Sequence, residues 1–179
     1  APRSRLLMTV RIEASRLLPG DGPPLEDAAV VLDGPRIVFA GPATDAPDSP
    51  GADTVTVATV MPGMWDSHTH LMGLAAGVVN LEALITQVPQ AGGVSAARDM
   101  GDALDAGFTS VREVGGYGAL LAPAVEDGTI RGPNLYAAGS AMSQTGGHAD
   151  FHALSAEDAD RLAERHFGAP ALADAAGWV

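Results

Sequence analysis

The sequence predicts an α/β protein in two parts, and two observations carry this prediction. Residues 1–60 contain short apolar runs separated by clusters of proline and glycine, a pattern typical of strands joined by turns. Residues 61–179 alternate short apolar runs with stretches of helical spacing, a pattern typical of strand–helix units. With 179 residues, of which 46% are hydrophobic, the chain can bury a core of its own.

The strands of the first part are predicted from their residue types. RLLMTVRIEA is rich in apolar and β-branched residues, and ADTVTVATV alternates valine with threonine and alanine. DAAVVLDGPRIVFAG contains two apolar runs on either side of Asp33 and Gly34. A glycine at this place favours a hairpin, because the tight turn requires a positive φ. We therefore expect a small, mostly antiparallel sheet in residues 1–60.

The second part is predicted to alternate strands and helices. A strand that ends near His70 precedes a helix expected over residues 74–88. The next helix is expected over SAARDMGDALDAG, with Ser95 as its N-cap and Gly107 as its stop signal. The remaining predicted elements are the strand FTSVREV, the short helix YGALLAPAVEDG, the strand NLYAAGS and a helix beginning at the capping box SAED.

Three successive strand–helix units predict a parallel sheet with right-handed crossovers, either as part of a barrel or as a doubly wound sheet. A barrel of eight such units takes about 250 residues, so residues 61–179 are too few to close one. Unpaired strand edges expose backbone groups and apolar faces. We therefore expect either missing residues or association with another copy of the chain or with a complementing chain.

The composition excludes several classes of partner and site. The net charge is −12, from 22 acidic and 10 basic residues, so neither nucleic acid nor an anionic membrane surface finds a basic patch. The chain has no cysteine, and no apolar stretch reaches the length of a membrane span. A cytoplasmic protein is the default expectation. The chain also contains no lysine, so any mechanism that needs a lysine must take it from elsewhere.

The strongest candidate for chemistry is the pair His68 and His70. In a strand, residues two apart point to the same face, so both imidazoles can reach one ion at the strand's carboxyl end. Neutral imidazole is a good ligand for zinc and its neighbours. Asp66 lies two residues earlier, and it is expected either to fix the tautomer of a histidine or to make a structural hydrogen bond. Trp65 alternates to the opposite face and is expected to pack against helices.

The weaker candidates are polar residues on loops and element ends, namely His148, Asp150 and His152 in HADFH, Ser143, Gln144 and Thr145 before them, Arg112 and Glu113 at the end of FTSVREV, and His166 in the last helix. The HADFH spacing suits metal ligands, but loop capping is the alternative because neighbouring glycines break regular alternation. Residues 143–145 either line a pocket or are solvated. We expect Arg112 and Glu113 to take part in an ion pair or core network, and His166 to lie on the surface.

Three segments carry a resemblance to a known family. MPGMWDSHTH resembles the Pro-Gly-x-x-Asp-x-His-x-His signature of the amidohydrolase superfamily. AGFTSVREVGG and GPNLYAAGSAMSQTGGHADFH resemble the subgroup of imidazolonepropionase-like hydrolases, Xaa-Pro dipeptidases and ochratoxin-type amidases. The resemblance covers nearly all of this chain but less than half of a family member. It implies a sandwich-type sheet in residues 1–60 and, in residues 61–179, the first three units of an incomplete TIM (β/α)₈ barrel.

The same resemblance implies a divalent metal centre, with one or two zinc ions. His68 and His70 match the two ligands on the first barrel strand, and His148 matches a position near the substrate. The family's other ligands would lie beyond this chain: a carboxylated lysine on the fourth strand, histidines on the fifth and sixth, and an aspartate on the eighth. That aspartate is also the expected acid and base. The absence of lysine fits a chain that stops before the fourth strand.

The implied function is hydrolysis of an amide-type C–N bond in a small molecule, such as a dipeptide or an N-acyl amino acid, by a metal-activated water. This chain alone is expected to be inactive, because the remaining ligands are absent from it. Two alternatives stay open. One is a non-catalytic fragment or pseudoenzyme that acts as an assembly partner. The other is a hydrolase of the same fold that cleaves a lactone or a phosphoester, since fold does not choose the substrate.

Overall fold

The structure is a computed structural model, and it describes residues 9–74, 86–139, 143–144, 146–147 and 154–167. The chain divides into two compact units, Ala1–Pro62 and Gly63–Val179. The first is built from strands, and the second combines strands with helices, so the predicted mixed α/β class is confirmed. None of the helices in the described part of the chain has the length and apolar character that a membrane crossing requires.

The first unit contains one four-stranded sheet among its described residues. Its strands are β1 (Thr9–Leu17), β2 (Leu25–Asp33), β3 (Arg36–Pro42) and β4 (Asp53–Val60), with a short 3-10 helix at Ala43–Asp45. The spatial order is β3-β2-β1-β4. The β1–β2 and β2–β3 pairs are antiparallel, whereas β4 runs parallel to β1. The mostly antiparallel sheet is therefore confirmed, and the sandwich stays a prediction.

The predicted hairpin joins β2 to β3. Asp33 pairs with Arg36 across a two-residue turn, and Gly34 has a φ of 55°. A positive φ at the first central position followed by proline is the pattern of a type II′ turn. One face of the sheet forms the core of this unit, in which Leu17, Ala28 and Val30 are buried.

The second unit contains a parallel sheet with the order β5-β6-β7. Its described elements are β5 (Met64–Thr69), α1 (Pro89–Asp105), β6 (Phe108–Glu113), α2 (Gly118–Glu126), β7 (Asn134–Ala137) and α3 (Ala156–Phe167). Both strand pairs are parallel, and a helix lies between consecutive strands in the sequence, so the predicted strand–helix alternation is confirmed. Most of the helix predicted over residues 74–88 lies outside the described residues.

The predicted start of α1 is wrong. The helix begins at Pro89 rather than after Ser95, and its N-cap, Val88, makes no side-chain capping hydrogen bond. Proline suits the first helical position because its φ is already helical and its missing N–H would have no partner there. The glycines at 92 and 93, which precede the predicted start, lie inside the helix. Gly92 is needed there, because a Cβ on it would lie 2.6 Å from the Tyr117 hydroxyl oxygen.

The other two helix signals are confirmed. Gly107 follows the end of α1 with a φ of 94°, and its N–H donates to the carbonyl of Leu104. At α3, the N–H of Asp158 donates to the Ser155 hydroxyl (3.2 Å), and that hydroxyl donates to the Asp158 carboxylate (2.8 Å). Both ends therefore satisfy backbone groups that a helix terminus leaves without intrahelical partners.

The main core of the second unit joins the sheet to the helices. Leu71, Ala96, Met100 and Tyr117 are buried together, and residues of α2 and β7 pack against them. Leu71 follows directly on the histidine segment that ends β5. The core therefore anchors the chain immediately after the candidate site, at the carboxyl end of the sheet.

Candidate metal centre

His68 and His70 lie together at the carboxyl end of β5. Both residues are exposed, and their imidazole ring centroids are 5.2 Å apart with the ring planes at 74°. Two imidazoles that share one tetrahedral zinc, with Zn–N distances of about 2.0 Å, have centroids about 5 Å apart. The spacing of the two rings therefore suits a shared ion.

The strand is irregular where the histidines lie. The pairing of β5 with β6 shifts register between Asp66 and Thr69. Within this stretch, Asp66 Oδ1 accepts a hydrogen bond from the backbone N–H of His68 at 3.0 Å. Of the two roles expected for Asp66, the structure shows the structural hydrogen bond. The two imidazoles therefore meet where the pairing of β5 with β6 is irregular.

His70 has a defined tautomer in the neutral state. Its Nδ1 lies 2.9 Å from the backbone carbonyl oxygen of Gly115, 45 residues further along the chain. A carbonyl oxygen only accepts, so this hydrogen bond requires the proton on Nδ1 and leaves the lone pair on Nε2. Histidines that bind metals are commonly held in this way by a carbonyl or carboxylate. Sequence reasoning missed Gly115, and the only available signal was the glycine pair after FTSVREV.

Glu113 lies beneath this arrangement and is fully buried, whereas Arg112 is exposed. Its Oε1 accepts the N–H of Gly115 at 3.2 Å. Burial raises the pKa of Glu113, while hydrogen bonding from the Leu71 and Gly115 N–H groups and the nearby His70 act in the opposite direction. Among the described residues Glu113 forms no ion pair, so of the expected roles it is the core network that the structure shows.

Among the described residues, the contact that Trp65 makes is with an aromatic ring of β7 rather than with the helices expected. Its ring lies 4.9 Å from that of Tyr136, centroid to centroid, and both side chains are more than half exposed. Leu135, next to Tyr136, packs against the core that the helices cover. Because successive residues of a strand face opposite sides, Tyr136 lies on the other face of the sheet, and Trp65 meets it there.

None of the other candidate residues lies with the two histidines as a further metal ligand in the described part of the chain. In the described part of the chain, no group of three histidine, cysteine, aspartate or glutamate residues could hold a metal ion. Ser143 and Gln144 lie beside a turn in which the N–H of Gly147 donates to the Gln144 carbonyl. The predictions for Thr145, His148, Asp150, His152 and the side chain of His166 fall outside the described residues. His148 therefore stays a predicted substrate contact.

Comparison with known proteins finds one family match and several related enzymes. Residues 59–176 match the model of the amidohydrolase family. Ochratoxinase from Aspergillus niger is 41% identical over 148 residues, which is 81% of this chain and 31% of that protein. Imidazolonepropionase from Micrococcus luteus is 50% identical over 52 residues, 29% of this chain and 13% of that protein.

Solved structures agree with these relatives. The crystal structure of A. niger ochratoxinase has a TM-score of 0.75 and 39% identity, and the match covers 84% of this chain and 36% of that one. A Xaa-Pro dipeptidase with bound methionine in its active site has a TM-score of 0.63 and 27% identity, covering 79% of this chain and 36% of that one. The chain thus spans about a third of the length of these proteins. Since the family match covers well over half of the 179 residues, the chain belongs to the amidohydrolase family.

Proposed function

We propose that this chain contributes His68 and His70 to the metal centre of a hydrolase that cleaves an amide-type C–N bond. The observation that carries the proposal is the paired imidazoles at the carboxyl end of β5, with the His70 Nε2 lone pair left available by the bond to Gly115. The three parallel strands and their helices would form the first units of a TIM barrel. Active sites of such barrels lie at the carboxyl ends of the strands.

The residues present fit a divalent ion in part. Imidazole nitrogens suit zinc, for which a catalytic site needs about three protein ligands and an open position. His68 and His70 would supply two, and the further ligands and the acid–base aspartate would come from outside these residues. When bound, the ion would lower the pKa of a water molecule and polarise the substrate carbonyl. The role of this chain would be to hold two of the metal ligands, His68 and His70, in a fixed orientation.

The substrate proposal is a small molecule with an amide-type bond, such as a dipeptide or an N-acyl amino acid. The name of one relative, Xaa-Pro dipeptidase, denotes a dipeptide substrate, and the name of the amidohydrolase family denotes hydrolysis of an amide-type bond. His148, which follows β7 in the sequence, is proposed to contact the substrate. The leaving group is to be identified by activity assays, because a shared fold does not determine it.

Metal removal tests the proposal in the protein as its gene encodes it. After chelation and dialysis, Zn²⁺ is titrated back into the wild type and into His68→Ala, His70→Ala and, as the matched control between them, Thr69→Ala. We expect each histidine variant to bind Zn²⁺ at least about tenfold more weakly, because a ligand is lost, and the control to bind normally. Hydrolysis of a panel of dipeptides and N-acyl amino acids should stop on chelation and return with Zn²⁺. Unchanged metal content in both histidine variants would contradict the ligand assignment.

A further inference from the structure

Three hydrogen bonds join the loop between β6 and α2 to the stretch from Thr69 to Leu71. The N–H of Val114 donates to the Thr69 carbonyl (3.0 Å), and the N–H of Tyr117 donates to the Leu71 carbonyl (2.8 Å). Between them, Nδ1–H of His70 donates to the Gly115 carbonyl at 2.9 Å. The position of Gly115 therefore determines the orientation of the His70 ring.

The side chain of Glu113 lies inside this loop. Its Oε1 accepts the N–H of Gly115, and the loop has glycines where the carboxylate approaches. A Cβ on Gly116 would lie 2.6 Å from Oε1, and a Cβ on Gly118 would lie 2.6 Å from Oε2. Both contacts are closer than real Cβ atoms allow, so the backbone fits around the carboxylate only because these residues are glycines.

Packing alone does not explain a glutamate at this position. The residue is 0% exposed, and its Oε2 has no hydrogen-bond partner among the described residues. Burying a carboxylate with an unsatisfied oxygen is costly, and an apolar side chain of similar volume would fill the space without that cost. The carboxylate of Glu113 is approached by the backbone N–H groups of Leu71 and Gly115, and Gly115 in turn holds the His70 ring through its carbonyl.

We propose that Glu113 is a positioning residue for His70. Its carboxylate holds Gly115 through the N–H, so that the Gly115 carbonyl receives the Nδ1 proton of His70 and the Nε2 lone pair is presented to a metal ion. The benefit of this arrangement to metal binding rests on the proposed function. The hydrogen-bonded chain from Glu113 through Gly115 to His70 does not depend on it.

The test compares Glu113→Met, which keeps the volume and removes the acceptor, with Glu113→Gln, which keeps an acceptor oxygen. Glu126→Gln, an exposed glutamate at the end of α2, is the control. The first measurement is the tautomer ratio of His70 in the metal-free whole protein, from long-range ¹H–¹⁵N spectra with ¹⁵N-histidine labelling at a pH where imidazole is neutral. The His70→Gln variant assigns the signals. The second measurement is the affinity for Zn²⁺ alone.

In Glu113→Met we expect the ratio of Nδ1–H to Nε2–H to fall about fivefold, the effect of losing one typical hydrogen bond. The Zn²⁺ affinity should fall about 10- to 100-fold, as when the outer partner of a metal-binding histidine is lost. Glu113→Gln should restore both to the wild-type values, and the control should change neither. A folded Glu113→Met with wild-type tautomer ratio would overturn the proposal, as would a Glu113→Gln that loses the Nδ1–H form. If the wild type binds no Zn²⁺, the proposed function fails, while the tautomer measurement still decides the role of Glu113.

Discussion

His70 and Glu113, at the carboxyl end of the second unit's sheet, are more tightly held than the charged residues on the surface. The His70 ring is fixed by a backbone carbonyl from another part of the chain, and Glu113 is buried under the same loop. Most charged pairs of the described residues, by contrast, lie on the surface. Arg131 is an example: it donates to the Asp105 carboxylate and to the Gly101 carbonyl, which ties the segment before β7 to the last turns of α1.

The Asp105–Arg131 pair should make a small, pH-dependent contribution to stability. The hydrogen bond from Arg131 lowers the pKa of Asp105 below its ordinary value of 3.8. The contribution should therefore be fully present above that value and be lost as the pH falls through the lowered pKa. Because both side chains are exposed, we expect Asp105→Asn to reduce the thermal midpoint only slightly at pH 7.

Thermal unfolding of the wild type and Asp105→Asn between pH 7 and pH 3 measures this contribution, and the difference between the two midpoints should narrow once the pH falls below 3.8. Asp102→Asn serves as the control, since its carboxylate is 4.0 Å from the nearest Arg98 nitrogen. A midpoint difference that grows as the pH falls would contradict the stabilising contribution expected of the Asp105–Arg131 pair.

Helix α1 shows how a long-range contact changes the limits of an element. Its glycines at 92, 93 and 101 disfavour a helix by local propensity, yet the helix runs from Pro89 through all three. Gly92 is buried against Tyr117, which also forms part of the core beneath the sheet. Packing against Tyr117 therefore compensates for the weak propensity of this stretch.

Alanine substitutions at the two neighbouring glycines should have opposite effects. At Gly92, a Cβ would lie 2.7 Å from a ring carbon of Tyr117, so we expect Gly92→Ala to destabilise the protein by about 1–3 kcal/mol. At Gly93, a Cβ would meet nothing within 4 Å, so we expect Gly93→Ala to stabilise it by about 0.5–1 kcal/mol. Chemical denaturation gives both values. Equal effects of the two substitutions would contradict the packing described for Gly92.

Over the whole molecule, charge is the property that follows most directly from composition. The 22 acidic residues outnumber the 10 basic residues, and the ion pairs of the described residues are largely exposed. Exposed pairs contribute little to stability, whereas a net charge of −12 opposes the compact state through self-repulsion.

Added salt should therefore stabilise the protein. Raising NaCl from about 10 mM to about 200 mM shortens the Debye length from about 30 Å to below 10 Å, which screens the repulsion between distant carboxylates. We expect the thermal midpoint at pH 7 to rise over this range, and KCl to give the same increase as NaCl. A midpoint that falls with salt would mean that the surface ion pairs outweigh the net charge.

The signals that predicted elements correctly were local. Hydrophobic periodicity indicated the strands, Gly34 and Gly107 marked a turn and a helix end, and the SAED sequence marked the start of α3. Each of these depends on residues within a few positions of one another. The start of α1 was predicted wrongly although Pro89 is itself a local signal for a first helical position, and the contact of Gly92 with Tyr117, 25 positions further along the chain, has no local signal.

The sequence by itself determined the α/β class and the strand–helix order, and it singled out the pair of histidines that we propose as metal ligands. Only the tertiary structure decided which backbone carbonyl fixes His70, that Glu113 rather than Arg112 is buried beneath it, and that Trp65 meets Tyr136. The reason is physical. Periodicity and capping act within one turn or strand, whereas burial and the partner of a polar group depend on which distant segments the parallel sheet brings side by side.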